Sequence, residues 1–137
     1  MSIHCVIVSP DKIVYDGNAD IVLLPAKQGQ IGVMEHHARL FTELESGLIT
    51  VKNGNEKTIF TVTSGFVQID GEEVRVLAEA SENINDIDIQ RAEAAKERAQ
   101  EALKKANGKE SPEFMRAAMK IRIEQMRIAA GKRAGKG

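Results

Sequence analysis

The chain has 137 residues, of which 42% are apolar and 28% charged, the balance of a folded soluble domain with room for an appendage. Its net charge of −1 hides an asymmetry: residues 1–85 carry 6 Lys and Arg against 12 Asp and Glu, while residues 86–137 carry 13 against 8. A single cysteine, Cys5, excludes an internal disulfide, and with no run of 18 apolar residues and no leader-like start the expectation is a reduced, cytosolic setting with any membrane reached through partners.

Residues 1–84 read as short strands. In SIHCVIVS, Ile3, Cys5 and Ile7 alternate with His4, Val6 and Val8, strand periodicity with apolar character on both faces. KIVYDG, DIVLLP closed by Pro25, GQIGVM, GLITVKNG, KTIFTVT, FVQIDG and EVRVLAEA continue the pattern. Gly17, Gly29, Asn53-Gly54 and Asp70-Gly71 fall between or at the ends of these runs, where turns call for positive φ. Close spacing without helical periods predicts a β-sandwich or flattened barrel, and no glycine-rich phosphate loop opens a helix.

The stretch GVMEHHAR places Glu35, His36 and His37 side by side. Neighbours on an extended segment point to opposite faces, so the two rings cannot share one ion there. His4 is the only other imidazole and Cys5 the only thiol, which leaves no Cys/His zinc set. No GxSxG elbow is present, and TSGF near Ser64 reads as a strand-edge turn. The expectation is neither a metal site nor a catalytic centre.

From Asn85 the texture turns helical. NDIDIQRAEAAKERAQEALKKANG is rich in strong helix formers. Asn85 or Asp86 can cap its start, Asp88 sets a carboxylate against the positive end of the dipole, and Asn107-Gly108 is a stop. Ala92, Ala95, Ala99, Ala102 and Ala106 form a seam of methyl groups. A second helix opens at SPEF, with Ser111 as cap and Pro112 at the first position, carries Met115, Met119, Ile123, Met126 and Ala130 on one stripe, and is expected to end near Gly131. The short connection predicts an antiparallel hairpin over residues 85–131, followed by a basic, flexible tail at 132–137. Five buried alanines contribute about 4 kcal/mol, far less than a leucine seam, and methionine repacks readily, so the hairpin is a candidate moving part.

In order along the chain, Asp16-Gly17, GQIGV followed by His37 and Leu40, ESGLI at 45–49, SGFVQI from Ser64, VLAEAS from Val76 and IDIQRAEAAKERAQEAL from Ile87 together resemble the epsilon subunits of the rotary F-type ATP synthase. The resemblance runs over nearly the whole length. It implies a β-sandwich of about ten strands followed by a two-helix hairpin, a fold class of β followed by α. It also implies a central-stalk subunit with no active site of its own, peripheral on the cytoplasmic face of the inner (plasma) membrane.

The implied partners are the gamma shaft and the c-subunit ring for the sandwich, and the alpha and beta subunits for an extended hairpin that inhibits ATP hydrolysis. The complex moves protons or sodium. Arg116, Lys120, Arg122 and Arg127 are the implied contacts to an acidic segment of the catalytic beta subunits; Gln30 and His37 are the implied c-ring contacts. Some members bind ATP as a regulatory ligand through Ile/Leu-Asp-x-x-Arg-Ala, matched here by Ile87, Asp88, Arg91 and Ala92, with Arg98 and Arg116 as further candidates. Lys120 stands where such members carry a second arginine, and lysine lacks the planar fork. The alternative for Asp88 is a plain helix cap, and for Arg91 a carboxylate partner. Members carry proline where this chain has Glu35 and Arg39. A rival reading is a free β-sandwich protein-binding module with a coiled-coil adaptor. Nucleic acid is not expected, because the basic tail lacks interleaved aromatics.

Overall fold

The structure, a computed structural model, describes residues 2–106, 108 and 111–134. The chain divides into two units, Met1–Asn83 and Ile84–Gly137.

The first unit holds ten strands: β1 Ile3–Val8, β2 Ile13–Ala19, β3 Ile21–Ala26, β4 Gly29–Val33, β5 Leu40–Leu44, β6 Gly47–Asn53, β7 Glu56–Val62, β8 Gly65–Ile69, β9 Glu73–Ala78 and β10 Ser81–Asn83. Their order is β10-β7-β6-β3-β5-β8-β9-β1-β2, with β4 paired to β3, and β1 against β9 is the parallel pair. The path folds back on itself: Tyr15 on β2 meets Phe60 on β7 with ring centroids 5.4 Å apart. The result is a flattened, barrel-like sandwich. Alternation does the sorting, as on β1, where Ile3, Cys5 and Ile7 are fully buried and His4, Val6 and Val8 are half-buried on the outer face. Apolar burial pushes the Cys5 thiol up to about 12, so it is an inert core residue.

Several boundaries differ from the sequence reading. Pro25 lies inside β3, opposite Gln30 on β4, and its carbonyl accepts from Glu45 N at 2.9 Å. Gly17 is mid-strand on β2 rather than in a turn. Asn53-Gly54 does mark a tight hairpin: Asn53 pairs with Glu56, and Gly54 at φ +62 fills the first central position, where a primed turn needs positive φ. The strands β5 and β10 were absent from the run of alternating segments.

In the second unit a 3-10 turn, Ile84–Asp86, precedes α1, Ile89–Lys105, and α2, Pro112–Arg133, follows. Neither Asn85 nor Asp86 caps α1; Asp88 does, its Oδ1 accepting from Arg91 N at 3.1 Å. Ser111 caps α2 with Pro112 in its first turn. The helix does not stop at Gly131: Lys132 and Arg133 form its last turn, and the expected tail beyond Ala134, like Asn107, lies outside the described residues. Gly131 serves packing instead, since a Cβ there would stand 2.8 Å from Ile89 Cγ1.

The seam also differs. On α1, Ala92 and Ala99 are buried, Ala95, Leu103 and Ala106 are half-buried and Ala102 is exposed. On α2 the buried residues are Ala117, Glu124, Ala130 and Gly131, while Met115 and Met119 are 62% and 51% exposed. The predicted methionine stripe is therefore not the seam; steps of seven from Ala117 to Glu124 to Gly131 are, the repeat along which one helix tracks another.

Candidate functional site

The outer face of β5, β8, β9 and β1 is apolar where solvent should favour polar side chains. Register aligns Glu43 with Phe66, Phe66 with Leu77, and Leu77 with Val8 across the four strands. Phe41, one pleat along from Glu43 on β5, stacks on Phe66 with centroids 5.5 Å apart and planes 14° from parallel. Phe41, Phe66 and Leu77 are 63%, 42% and 46% exposed. A groove of about 590 Å³ runs beside them, floored by Val8, Leu44, Phe66 and Leu77 and rimmed by Glu43 and Glu79. Large apolar side chains clustered in this way mark a docking surface. Sequence reasoning missed it because Phe41 and Phe66 are distant in the chain; an apolar residue on the outward register of each strand was the available signal.

Further along the same face His4 sits between two carboxylates. Its Nε2 lies 2.6 Å from Asp16 Oδ1 and its Nδ1 3.2 Å from Glu73 Oε2, while Arg75 holds the other oxygen of Glu73 at 3.0 Å. The hydrogen bond to Asp16 raises the His4 pKa above 6.5; partial burial opposes this, and Glu73 adds to it. The two ring nitrogens face different carboxylates, so the three residues do not converge on one point.

The His36-His37 stretch is a turn rather than an extended segment. His37 N donates to Met34 O at 3.2 Å, His36 adopts φ +66, and His36 N donates to Gly71 O at 2.8 Å. Glu35 thus occupies the first central position, which suits proline in a turn of this kind, so the loop keeps its form without that ring. The His36 ring lies 3.0 Å from Glu35 Oε1, and the His37 ring meets the Ala38 carbonyl at 2.6 Å. Among the described residues no group of three or more metal-binding side chains forms. Gln30 is exposed at the other end of β4, near Lys27, Glu45 and Leu48, so the structure does not bring Gln30 and His37 together.

On the hairpin the candidate anion ligands separate into groups. Asp88 is spent on the helix cap, Ile87 and Ala92 are buried, and Arg91 is exposed. Arg98, Arg116 and Lys120 do come together, lining a groove of about 410 Å³ with Glu113 over a floor of Ala95, Ala99, Ala102 and Ala117. Arg116 lies 3.8 Å from Glu113. Lys120 and Arg127 each approach the buried Glu124 at 2.7 Å, and Arg122 is exposed. Burial pushes the Glu124 carboxyl up, but hydrogen bonds from Lys120 and Arg127 outweigh it and hold the group below its ordinary range.

A ten-stranded, barrel-like sandwich with an aromatic outer face, followed by a charged helical hairpin, defines the class of two-part β-sandwich and long-helix proteins. Residues 2–84 match the model of the ATP synthase delta/epsilon chain beta-sandwich domain, and residues 85–132 match that of its long alpha-helix domain. The chain is 35% identical over 127 residues to the ATP synthase epsilon chain of Halalkalibacterium halodurans, covering 93% of this chain and 95% of that one. It is 33% identical over 133 residues to the epsilon chain of Synechococcus sp., covering 96% and 98%. Its fold resembles a chain of the Euglena gracilis mitochondrial ATP synthase OSCP/F1/c-ring assembly, with a TM-score of 0.78, 17% identity and coverage of 94% of this chain and 81% of that one. The chain belongs to the delta/epsilon family of ATP synthase chains and is thereby a component of an enzyme complex.

Proposed function

We propose that the chain is a non-catalytic central-stalk subunit that couples rotation of the c ring to the gamma shaft and, through residues 85–131, restrains ATP hydrolysis. The observation that carries the docking half of this reading is the exposed Phe41-Phe66 stack beside Leu77. Gamma takes that face. The c ring takes an end of the sandwich, with Gln30 and His37 as contacts; because Gln30 lies at the start of β4 and His37 in the turn beyond its end, contact through both needs a surface that runs the length of the strand. Position on the cytoplasmic face of the membrane follows from those partners, and no described helix is long and apolar enough to cross a bilayer.

The regulatory half rests on the hairpin's separate seam and its charge. Two fully methyl-lined positions, Ala92 and Ala99, contribute about 2 kcal/mol, so modest competing contacts can open it. Opened, it offers Arg116, Lys120, Arg122 and Arg127 to acidic surface on the alpha and beta subunits. A second reading adds ATP as a regulatory ligand: Arg98, Arg116 and Lys120 place three cations around one alanine-floored groove, the charge that a triphosphate seeks.

The docking half is tested by capture of gamma with the full chain and with Phe41→Asp/Phe66→Asp. Loss of two aromatic anchors should weaken capture at least about thirtyfold, on the scale of about 2 kcal/mol for one interface hot spot. Unchanged capture by a folded variant contradicts this face as the docking site.

A further inference from the structure

Among the described residues Glu124 is the one charged side chain with no exposure. Lys120 Nζ lies 2.7 Å from its Oε2, and Arg127 Nη1 donates to its Oε1 at 2.7 Å. Both cations come from its own helix, one turn to each side. Ala117 and Gly131, seven residues before and after it, face α1: Ala117 shares a groove with Ala95 and Ala99, and Gly131 backs onto Ile89. That spacing puts Glu124 on the same stripe, on the face of α2 that meets α1. The cations meanwhile keep their outer ends in reach of solvent, with side chains 53% and 26% exposed.

We infer that Glu124 couples hairpin closure to the capture of Lys120 and Arg127, so that an acidic polypeptide drawing those cations outward also opens the hairpin. A carboxylate can stay buried while counter-charges sit on both its oxygens; stripped of them it is an uncompensated buried charge, and separating the helices to hydrate it becomes the lower-energy state. The converse holds by linkage: a closed hairpin withholds these two cations from the partner. This rests on the reading in which the basic face of α2 meets an acidic partner, and it adds the residue that ties that contact to the hairpin's state.

The test uses the full chain with polyglutamate as probe and amide exchange along α1 as readout. For the unaltered chain, polyglutamate should bind and speed exchange at Ala95 to Leu103 by about tenfold or more. Glu124→Gln should bind polyglutamate at least as tightly while exchange changes by less than about twofold, because a neutral amide has no charge to strand. Lys120→Gln should speed exchange with no probe present, an arm that does not depend on how Glu124→Gln folds. Binding without faster exchange in the unaltered chain overturns the coupling, as does an undiminished response in Glu124→Gln or unaltered basal exchange in Lys120→Gln. Absence of binding to the unaltered chain overturns the basic-face reading instead.

Discussion

Gly65 opens β8 where its backbone runs close against that of β9. A Cβ there would collide with the Leu77 carbonyl oxygen and stand 3.0 Å from Ala78 Cα, both main-chain atoms that cannot swing aside. Gly65→Ala should therefore destabilise the sandwich by about 1–3 kcal/mol, read as a thermal midpoint several degrees lower. His4 gives a second residue-scale expectation. Its folded pKa is raised above 6.5, so its contribution is fully present below that pH and is lost as pH rises through the higher folded value. Urea midpoints of the full chain should fall as pH rises above 6.5, and His4→Gln should flatten that part of the profile. A slope unaltered by the substitution contradicts the assignment to the Asp16-His4-Glu73 cluster.

At the scale of elements, the sequence was most legible where one periodicity ruled. Alternation exposed β1, β6, β7 and β9, and capping chemistry placed Ser111-Pro112. The strand β5 was missed because its inward register, Leu40, Thr42 and Leu44, is broken by a polar residue and buries only Leu44 fully, while Phe41 faces outward, so LFTEL shows no clean alternation. The hairpin seam was misplaced because side-chain size was followed instead of the seven-residue step; Glu124 and Gly131, which hydropathy assigns outside a core, are both buried. Of the residues matched to the nucleotide pattern, Asp88 is occupied by the cap, whereas Arg98, Arg116 and Lys120 share a groove no local motif announces. If that groove takes ATP, millimolar nucleotide should raise the thermal midpoint of the full chain, and Arg98→Ala/Arg116→Ala should abolish the rise. A midpoint flat with ATP removes nucleotide from the account.

For the whole molecule, the two units differ in charge, in secondary structure and in how strongly they are held together. The acidic half carries a dense core built from Val, Ile, Leu and Phe60, suited to a rigid coupling piece. The basic half closes on alanine methyls around one buried ion cluster, suited to opening. This division of labour predicts that removing residues 86–137 leaves docking in place and removes restraint. The direct measurement is the ATP hydrolysis rate per assembled complex, with the full chain and with residues 1–85 in its place. The rate should be higher with the shortened chain at equal subunit content, and an unchanged or lower rate would contradict a restraining role for residues 86–137.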